Sequence, residues 1–395
     1  MSTVRSLALI LALVLSPRAA AATFNVSTLA DSGAGSLRQA IADANATAGA
    51  DTITFSVSGT ITLVSELVVS ESLTINGPGA RVLTVAGTGS RILRLDNASA
   101  KDVTITDMTF SGGAAAGNGG AILNEGGNLT LQHMRLVGNQ ATGEGGAIYN
   151  QFFGAGNILT IEDSELSLNS ANKNGAIFFI GFQLRISNST IQQNHANDSV
   201  GAILIQFGDA VIRNSTIHLN DAGFAVGGIQ SQDSTLTLES TILAGNTDTT
   251  GVNDINRIGS GAVNATNSLF QEDVNATSVI NGTNSGNLIG VDPQLGPLAN
   301  NGGPTDSAQP GPASPAIGAG SNSQAYAFDQ RGPGFPRDAG GAVDIGAVQA
   351  ALPAPPPPPA GAVPVPALGI GPLAALSLLV LGMATALRRR GYGPN

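Results

Sequence analysis

The chain carries an internal repeat that is marked by five asparagines. Successive members of the set are 30, 25, 26 and 26 residues apart, and they are Asn139, Asn169, Asn194, Asn220 and Asn246. A sixth copy fits upstream, with Gly113 in the asparagine position. A fixed period in this range is the sequence signature of a solenoid, in which each repeat forms one coil.

Each asparagine follows two pairs of apolar or small residues at constant offsets. Leu129 and Leu131 stand ten and eight residues before Asn139, and Met134 and Leu136 stand five and three residues before it. Residues two apart on a strand face the same side of a sheet. Each repeat therefore predicts two short strands with a bend between them.

A third short strand follows a glycine-rich turn in each repeat, as in Gly146-Ala147-Ile148. Three short strands in a coil of about 26 residues predict an all-β fold, a right-handed parallel β-helix whose coils stack about 4.8 Å apart. We predict about nine or ten coils between residues 53 and 291, in a rod about 45 Å long. No coil can bury its apolar face alone, so neighbouring coils are required.

The repeated asparagines have a structural role in this interpretation. A side-chain amide both donates and accepts hydrogen bonds, so a file of amides can connect the turns of successive coils. Asparagine also tolerates the left-handed backbone of tight turns. The alternative is that the file binds a ligand.

Composition restricts the partners and the class of protein. Of the 395 residues, 11% are charged and none is cysteine, which excludes disulfides and thiolate metal sites. The formal net charge is −10. An acidic body predicts no nucleic-acid partner, because phosphate contacts need lysine and arginine.

The amino-terminal residues 1–22 have the three parts of a secretory signal. Arg5 provides the positive start, Leu7–Leu15 form a short apolar run, and Ala20-Ala21-Ala22 offer a small-residue cleavage site. The pattern predicts export through the inner membrane.

The carboxy-terminal end predicts a membrane segment. Residues 351–366 form a Pro/Ala linker, residues 367–387 contain no charge, and residues 388–395 begin with Arg388-Arg389-Arg390. About 20 apolar residues span a bilayer as a helix, and a terminal basic cluster stays in the cytoplasm. We therefore predict a transmembrane helix at 367–387 and a body that faces outward.

This end resembles the carboxy-terminal sorting signals of Gram-negative bacteria, of the PEP-CTERM and IPTL-CTERM type. The segment that stands where the latter has its Ile-Pro-Thr-Leu core is Val363-Pro364-Val365-Pro366-Ala367-Leu368. Ala367 replaces the threonine. The resemblance implies a sortase-like processing protease as a partner, with transfer to the cell surface or secretion after cleavage. An uncleaved membrane anchor is the alternative.

Residues 23–52 predict an amino-terminal cap with an amphipathic helix. Ser36 can cap the helix, with Gln39 three residues on, and Leu37, Ile41 and Ala44 form an apolar stripe. Residues 35–41 resemble the Cys-Ser-Leu-Arg-Glu-Ala motif of secreted bacterial β-helix proteins, with glycine in the cysteine position.

Residues 292–350 predict a carboxy-terminal coil and cap. They contain Asp292-Pro293-Gln294-Leu295-Gly296-Pro297-Leu298, Asn301-Gly302-Gly303-Pro304-Thr305, Ser314-Pro315-Ala316-Ile317-Gly318, Asp329-Gln330-Arg331-Gly332 and Asp344-Ile345-Gly346-Ala347. This ordered run resembles the choice-of-anchor Q domain of exported bacterial proteins. The resemblance implies anchoring and no reaction. The predicted β-helix body itself resembles the pectin-lyase-like superfamily.

The candidate catalytic residues are outward carboxylates. Glu162, Asp163 and Glu165 share one coil and form the best acidic cluster. Stacking predicts that Arg135 lies beside Glu165 and that Arg213 lies beside Glu239, as surface ion pairs. No carboxylate on an adjacent coil completes the cluster, so we expect no catalytic site. The alternative is a polysaccharide lyase or hydrolase that uses these three residues.

No metal or cofactor is expected. The three histidines, His133, His195 and His218, occupy unequal offsets in the repeat, which disfavours a histidine metal site. No glycine-rich phosphate loop joins a strand to a helix.

Two functions remain open at this point. The first is a non-catalytic surface protein in adhesion, matrix or glycan contact, with a polysaccharide or cell-surface ligand. The second is a carbohydrate-active enzyme of the pectin-lyase-like superfamily. Six phenylalanines could offer apolar contact or pack in the core: Phe152, Phe153, Phe178, Phe179, Phe182 and Phe207.

Overall fold

A computed structural model describes residues 21–97, 101–151, 156–272, 274–338 and 341–350. The predicted signal segment, apart from residues 21 and 22, lies outside these residues. So do the linker, the membrane segment and the basic tail after residue 350. Within the described ranges, no helix combines the length and apolar character needed to cross a bilayer.

The chain winds as a right-handed parallel β-helix, which confirms the predicted solenoid. Four sheets run along the stack, and neighbouring strands in each sheet come from successive coils and pair in parallel. The exception is the antiparallel pair of Thr247–Asp248 and Gly251–Val252 at the end of one sheet.

The two longest sheets hold the strands that the paired offsets predict. The 11 strands of sheet 1 are Thr23–Val26, Asp51–Phe55, Leu73–Asn76, Asp102–Thr106, Asn128–Gln132, Ile158–Glu162, Gln183–Ser187, Asp209–Arg213, Leu236–Glu239, Val263–Thr266 and Asn284–Ser285. The 10 strands of sheet 2 are Gly59–Leu63, Leu83–Gly87, Thr109–Ser111, Arg135–Val137, Glu165–Ser167, Thr190–Gln192, Thr216–His218, Ile242–Ala244, Leu269–Phe270 and Leu288–Ile289.

Sheet 3 holds the strands after the glycine-rich turns, and sheet 4 follows the repeated asparagines. The 8 strands of sheet 3 are Leu67–Val69, Leu93–Leu95, Ile122–Asn124, Ile148–Gln151, Ile177–Ile180, Ile203–Gln206, Ile229–Gln232 and Ile255–Ile258. The 7 strands of sheet 4 are Ala114–Ala115, Gln140–Glu144, Ser170–Lys173, His195–Ala196, Asp221–Ala222, Thr247–Asp248 and Gly251–Val252.

The core consists of aliphatic columns in register. Leu131 pairs with Ile161 and Ile161 with Ile186, and all three side chains are buried. Sheet 2 continues the pattern with Leu136 opposite Leu166. Each column is stable only because the coil above and the coil below cover it.

Sheet 4 was not predicted. Its strands are mostly two to five residues long, and their buried column is made of alanines, such as Ala141, Ala171 and Ala196. Alanine buries little area and has a low preference for strands, so the segment has no strand pattern in the sequence.

Two helices lie near the ends of the stack. Helix α1, Leu37–Ala46, begins after Ser36, whose hydroxyl accepts the Gln39 N–H, and it packs against the first strands of sheets 1 and 3. Helix α2, Val274–Val279, contacts Ile255–Ile258.

Residues 292–350 lie along the side of the stack rather than over its last coil. We call this segment the strap. It contains isolated bridges, such as Leu295 with Pro310, in place of a regular coil. Its polar groups reach coils as distant as those of Arg81 and Asn267. Ala316 and Ile345 pack against Ile242 on the outer side of sheet 2. Glycines and prolines interrupt any strand pattern here, so the segment follows the surface that the coils provide.

Candidate functional site

The five asparagines form a continuous hydrogen-bonded file inside the stack. Their side chains are fully buried. The Asn194 side chain accepts hydrogen bonds from the backbone N–H of Asn169 at 3.0 Å and from its amide at 2.9 Å. Asn194 in turn donates to Asn220 Oδ1 at 2.8 Å and to the Leu166 carbonyl at 3.0 Å. The same pattern recurs along the file. Because these amides bind their neighbours, they are not free to bind a ligand.

The file ends at two different groups. At one end Asn139 Oδ1 accepts the backbone N–H of Gly113. At the other end Asn246 donates both its backbone N–H and its amide to Asp254 Oδ1. Burial raises the pKa of Asp254, although hydrogen bonds from Asn246 and from the backbone of Glu272 oppose the rise. Asp254 thus terminates the file as an acceptor that needs no further partner.

A second file of hydroxyls runs parallel to the amides. The Ser164 hydroxyl accepts the Met134 N–H at 3.0 Å, and Ser189 accepts the Ser164 N–H at 3.1 Å. Each hydroxyl also donates within its own turn, as Ser189 does to the Ser187 carbonyl. The sequence analysis counted these positions among the apolar or small residues of the repeat. The recurrence of Ser or Thr five residues before four of the five asparagines is the signal of this file.

The predicted acidic cluster is not an open site. Glu165 is 1% exposed and lies beneath the strap, where its carboxylate accepts the Asp306 N–H at 2.9 Å and the Ser167 hydroxyl at 2.6 Å. Arg135 bridges the two acids, at 2.7 Å from Glu165 and 2.7 Å from Asp306. The predicted contacts of Arg135 with Glu165 and of Arg213 with Glu239 are both present. The pair of Arg135 and Glu165 is largely buried because the strap covers it, whereas the sequence predicts a surface pair.

The other two members of the cluster lie at the turn between sheets 1 and 2. Glu162 ends a strand of sheet 1 and pairs in register with Gln132 and Ser187. Asp163 follows it in the left-handed region, with φ at 49°. The three carboxylates are therefore separated by the turn, and the strap closes over one of them.

Asp163 belongs to a file of turn residues that the sequence analysis missed. We call it the turn file. Its members stand six residues before Gly113 or before one of the five asparagines, and they share a φ between 44° and 58°. They are Asp107, His133, Asp163, Asn188, Asn214 and Ser240. Only two of the six positions carry a carboxylate, so no repeated carboxylate pattern reveals this file in the sequence. Aspartate and asparagine tolerate this backbone, which explains their enrichment here.

The turn file has two halves. In the later half, Asn188 and Asn214 donate to strap carbonyls, those of Phe328 at 3.3 Å and Ser321 at 3.0 Å. In the earlier half, His133 stands between two carboxylates, with Nδ1 at 3.1 Å from Asp107 and Nε2 at 3.7 Å from Asp163. The structure thus brings together an acid–imidazole–acid triplet from three adjacent coils.

The environment gives these three groups different pKa values. The hydrogen bond to Asp107 raises the pKa of His133 despite partial burial. Burial alone would raise the pKa of Asp107, but hydrogen bonds from His133 and Thr106 outweigh it and lower the pKa. Burial raises the pKa of Asp163 to about 6, against the attraction of His133. Asp163 therefore holds a proton under mildly acidic conditions.

We expect Asp163→Asn to stabilise the protein at pH 8 and to have little effect below pH 4. A carboxyl with a raised folded-state pKa favours folding fully below its unfolded pKa, and that contribution is lost as the pH rises through about 6. The gain at pH 8 is at most about 3 kcal/mol. Urea unfolding from pH 4 to pH 8 measures it, with Asp198→Asn on the surface as the control. A variant that is less stable than the wild type at pH 8 would contradict this account.

No metal site is present among the described residues, within which no group of three His, Asp or Glu side chains could hold an ion. His195 and His218 lie away from the triplet. His195 contacts Asp221 at 2.9 Å on sheet 4, and burial lowers the pKa of His218 to about 4. The residues of the predicted sorting and anchor segment, 363–368 and 388–390, lie outside the described part of the chain.

The phenylalanines divide into two groups. Phe179 is fully buried in the core, and Phe178 stacks on Tyr149 with ring centroids 4.7 Å apart. Phe182 and Phe207 are 61% and 60% exposed. Phe152 and Phe153 lie outside the described residues.

Comparisons with known proteins give a short match and a distant one. Residues 135–151 match the Chlamydia polymorphic membrane protein repeat, and this range holds Asn139 and one strand each of sheets 2, 4 and 3. The chain is similar to the structure of Jun a 1, the major allergen from cedar pollen, at 14% identity and a TM-score of 0.42. That similarity covers 69% of this chain and 80% of the allergen. No curated protein matches the chain.

Proposed function

We propose that this is an exported, surface-anchored or sorted β-helix protein that contacts a polysaccharide or another cell-surface ligand without catalysing a reaction. The enclosure of Glu165 beneath the strap carries the proposal, because it removes the carboxylate on which the acidic cluster depends. The remaining amide and hydroxyl files bind the protein itself. A rod whose predicted acidic cluster is closed in this way suits display and contact.

The surface location has two supports. The match of residues 135–151 is to a repeat whose name describes a membrane protein of Chlamydia. The two ends have the charge and apolar patterns of a signal peptide and of a sorting tail. Transfer to the surface of a Gram-negative cell, with cleavage near Pro366 by a sortase-like protease, follows from the resemblance of the tail.

Cell fractionation followed by intact-mass measurement tests the surface proposal. The protein should be found in the envelope or the medium, with a mass that lacks residues 1–22. A mass that also lacks the residues after Pro366 indicates processing, and one that retains them indicates an anchor. Recovery in the cytoplasm with residues 1–22 retained would overturn the proposal.

The contact function is tested on a glycan array and on whole cells. The purified rod, residues 23–350, should be retained on at least one neutral polysaccharide or cell type. Bovine serum albumin, another acidic protein, provides the control for non-specific adsorption. Retention no greater than that of albumin on every surface would count against adhesion and glycan contact.

A second candidate is a carbohydrate-active enzyme, and the acid–imidazole–acid triplet favours it. A carboxyl with a pKa of about 6 can donate a proton to a glycosidic oxygen, and Asp107, with its lowered pKa, stays ionised. Such an enzyme would release reducing ends from a polysaccharide, and Asp163→Asn would abolish that release while keeping the fold. No turnover across a broad panel, with and without calcium, would exclude this candidate.

A further inference from the structure

A shallow groove crosses the turns between sheets 3 and 1. Phe182 and Phe207 lie on adjacent coils at its edge, and each exposes about three-fifths of its surface. The groove has a volume of about 270 Å³. Soluble proteins seldom expose large aromatic side chains next to one another without a partner.

Phe207 is held in a backbone conformation that phenylalanine disfavours. Its φ is 56°, in the left-handed region. The register of sheet 3 places Asp233 and Gly259 at the equivalent position of the next two coils, and both have a positive φ, of 48° and 74°. Glycine and aspartate adopt this conformation readily when it is needed, whereas a bulky residue in it is an outlier. Stability alone would therefore not select phenylalanine here, and such outliers cluster at ligand sites.

The other lining groups are small or polar. Gly181, Gly208 and Gly261 leave the centre open, and Thr235 supplies a hydroxyl. The hydroxyl of Ser234, which also lines the groove, is hydrogen-bonded to Ser231 inside the protein. Asp233 is oriented by the backbone N–H and hydroxyl of Ser260, at 2.9 and 3.0 Å. Aromatic faces beside fixed hydrogen-bond acceptors match a sugar ring, which has an apolar C–H face and a rim of hydroxyl donors.

The charge of the groove restricts the sugar. Two carboxylates, those of Asp209 and Asp233, line it, and no lysine or arginine does. Uronic acids and sulfated sugars would be repelled in a chain whose formal net charge is −10. A neutral sugar, or one that carries an amino group, meets no such repulsion.

We propose that this groove, which we call the Phe182/Phe207 groove, binds a segment of a non-acidic polysaccharide. The inference rests on the proposed contact function and assigns its ligand class and its site. Phe207 stacks on the sugar face, Phe182 extends the platform by one coil, and the carboxylates of Asp209 and Asp233 accept hydrogen bonds from the sugar.

The test compares Phe207→Asn with Phe224→Asn in the chain without its signal. Asparagine tolerates the left-handed backbone, so Phe207→Asn should melt at or above the wild-type temperature. Phe224 is 71% exposed on the turn before sheet 3 and does not line the groove, which makes it a matched control. Probes are soluble oligomers of glucose, N-acetylglucosamine, glucosamine and galacturonate.

Isothermal titration should show binding of at least one of the first three probes and none of galacturonate. Phe207→Asn should weaken that binding at least tenfold, and Phe224→Asn should leave it unchanged. A wild type that binds while Phe207→Asn binds equally well overturns the groove and leaves the contact function standing. Galacturonate binding as tight as that of the neutral probes overturns the ligand class. A wild type that binds no probe and no array glycan overturns both.

Discussion

Asn194→Ala is expected to lower the free energy of unfolding by about 4 kcal/mol, one of the two largest effects anticipated for a single substitution. The change removes one amide that bonds to the coil on either side. It leaves the Asn169 N–H and the Leu166 carbonyl without their side-chain partner in a fully buried file. Each buried polar group left unpaired costs about 1–3 kcal/mol. Urea unfolding followed by circular dichroism measures the loss.

Asn197→Ala provides the matched control. Asn197 is exposed and directly follows the sheet 4 strand His195–Ala196, and its amide donates to Asn172 Oδ1 at 3.0 Å. Its removal should change the free energy of unfolding by less than about 0.5 kcal/mol. If the two variants lost equal stability, the file of asparagines would not be what connects the coils.

Asp329→Ala is expected to release the strap at a cost of about 3–5 kcal/mol. Asp329 is fully buried, and its carboxylate accepts hydrogen bonds from four donor atoms: the backbone N, Nε and Nη2 of Arg331 and the backbone N of Gln349. Without it, the Arg331 charge stays buried with no carboxylate in contact. The strap should open while the coils stay folded.

Hydrogen exchange resolves this effect along the chain. In Asp329→Ala, protection should fall within residues 292–350 and at Asp163 to Glu165, which the strap covers, and should persist in sheet 3. Asp338→Ala, at an exposed position of the same strap, should leave the exchange pattern unchanged. Uniform loss of protection through all four sheets would show that the strap and the coils unfold as one unit.

The strap also contains a charge that the sequence does not mark as buried. Arg337 is fully enclosed and donates to the Gly346 and Ala347 carbonyls and to Asn188 Oδ1. Burial lowers its pKa to about 10. A buried charge requires polar partners. One partner of Arg337, Asn188, lies 149 residues away in the sequence, so the local sequence does not reveal the burial.

Local sequence patterns were sufficient to predict the coils and their register. The spacing of Leu159 and Ile161 before Asn169 predicts a strand, and because each coil repeats it, the register follows from the sequence. The stacked ion pair of Arg135 and Glu165 follows in the same way. Periodicity encodes contacts between equivalent positions.

The candidate site was less accessible to the sequence. The triplet of Asp107, His133 and Asp163 does not repeat one residue type. Its members share only their position in the repeat, so no sequence pattern marks them as a group. Burial of Glu165 depends on the strap, whose path is set by contacts between segments more than 140 residues apart. The exposure of Phe207 depends on its left-handed backbone conformation, which the neighbouring residues in the sequence do not predict.

Disulfide mapping tests most directly that the coils stack in parallel register. The chain has no cysteine, so pairs can be introduced on the outer face of sheet 1. Thr104 stands opposite Thr130, and Thr130 opposite Thr160. Adjacent coils place these Cα atoms about 4.8 Å apart, within the range that a disulfide can span, whereas two coils separate Thr104 from Thr160 by about 10 Å.

We predict that Thr104→Cys with Thr130→Cys, and Thr130→Cys with Thr160→Cys, form intramolecular disulfides on mild oxidation. Thr104→Cys with Thr160→Cys should remain reduced in the monomer. Mass spectrometry of non-reduced digests identifies the linked peptides. A link between positions 104 and 160, with none between 104 and 130, would contradict the stacked coils and the files of side chains that depend on them.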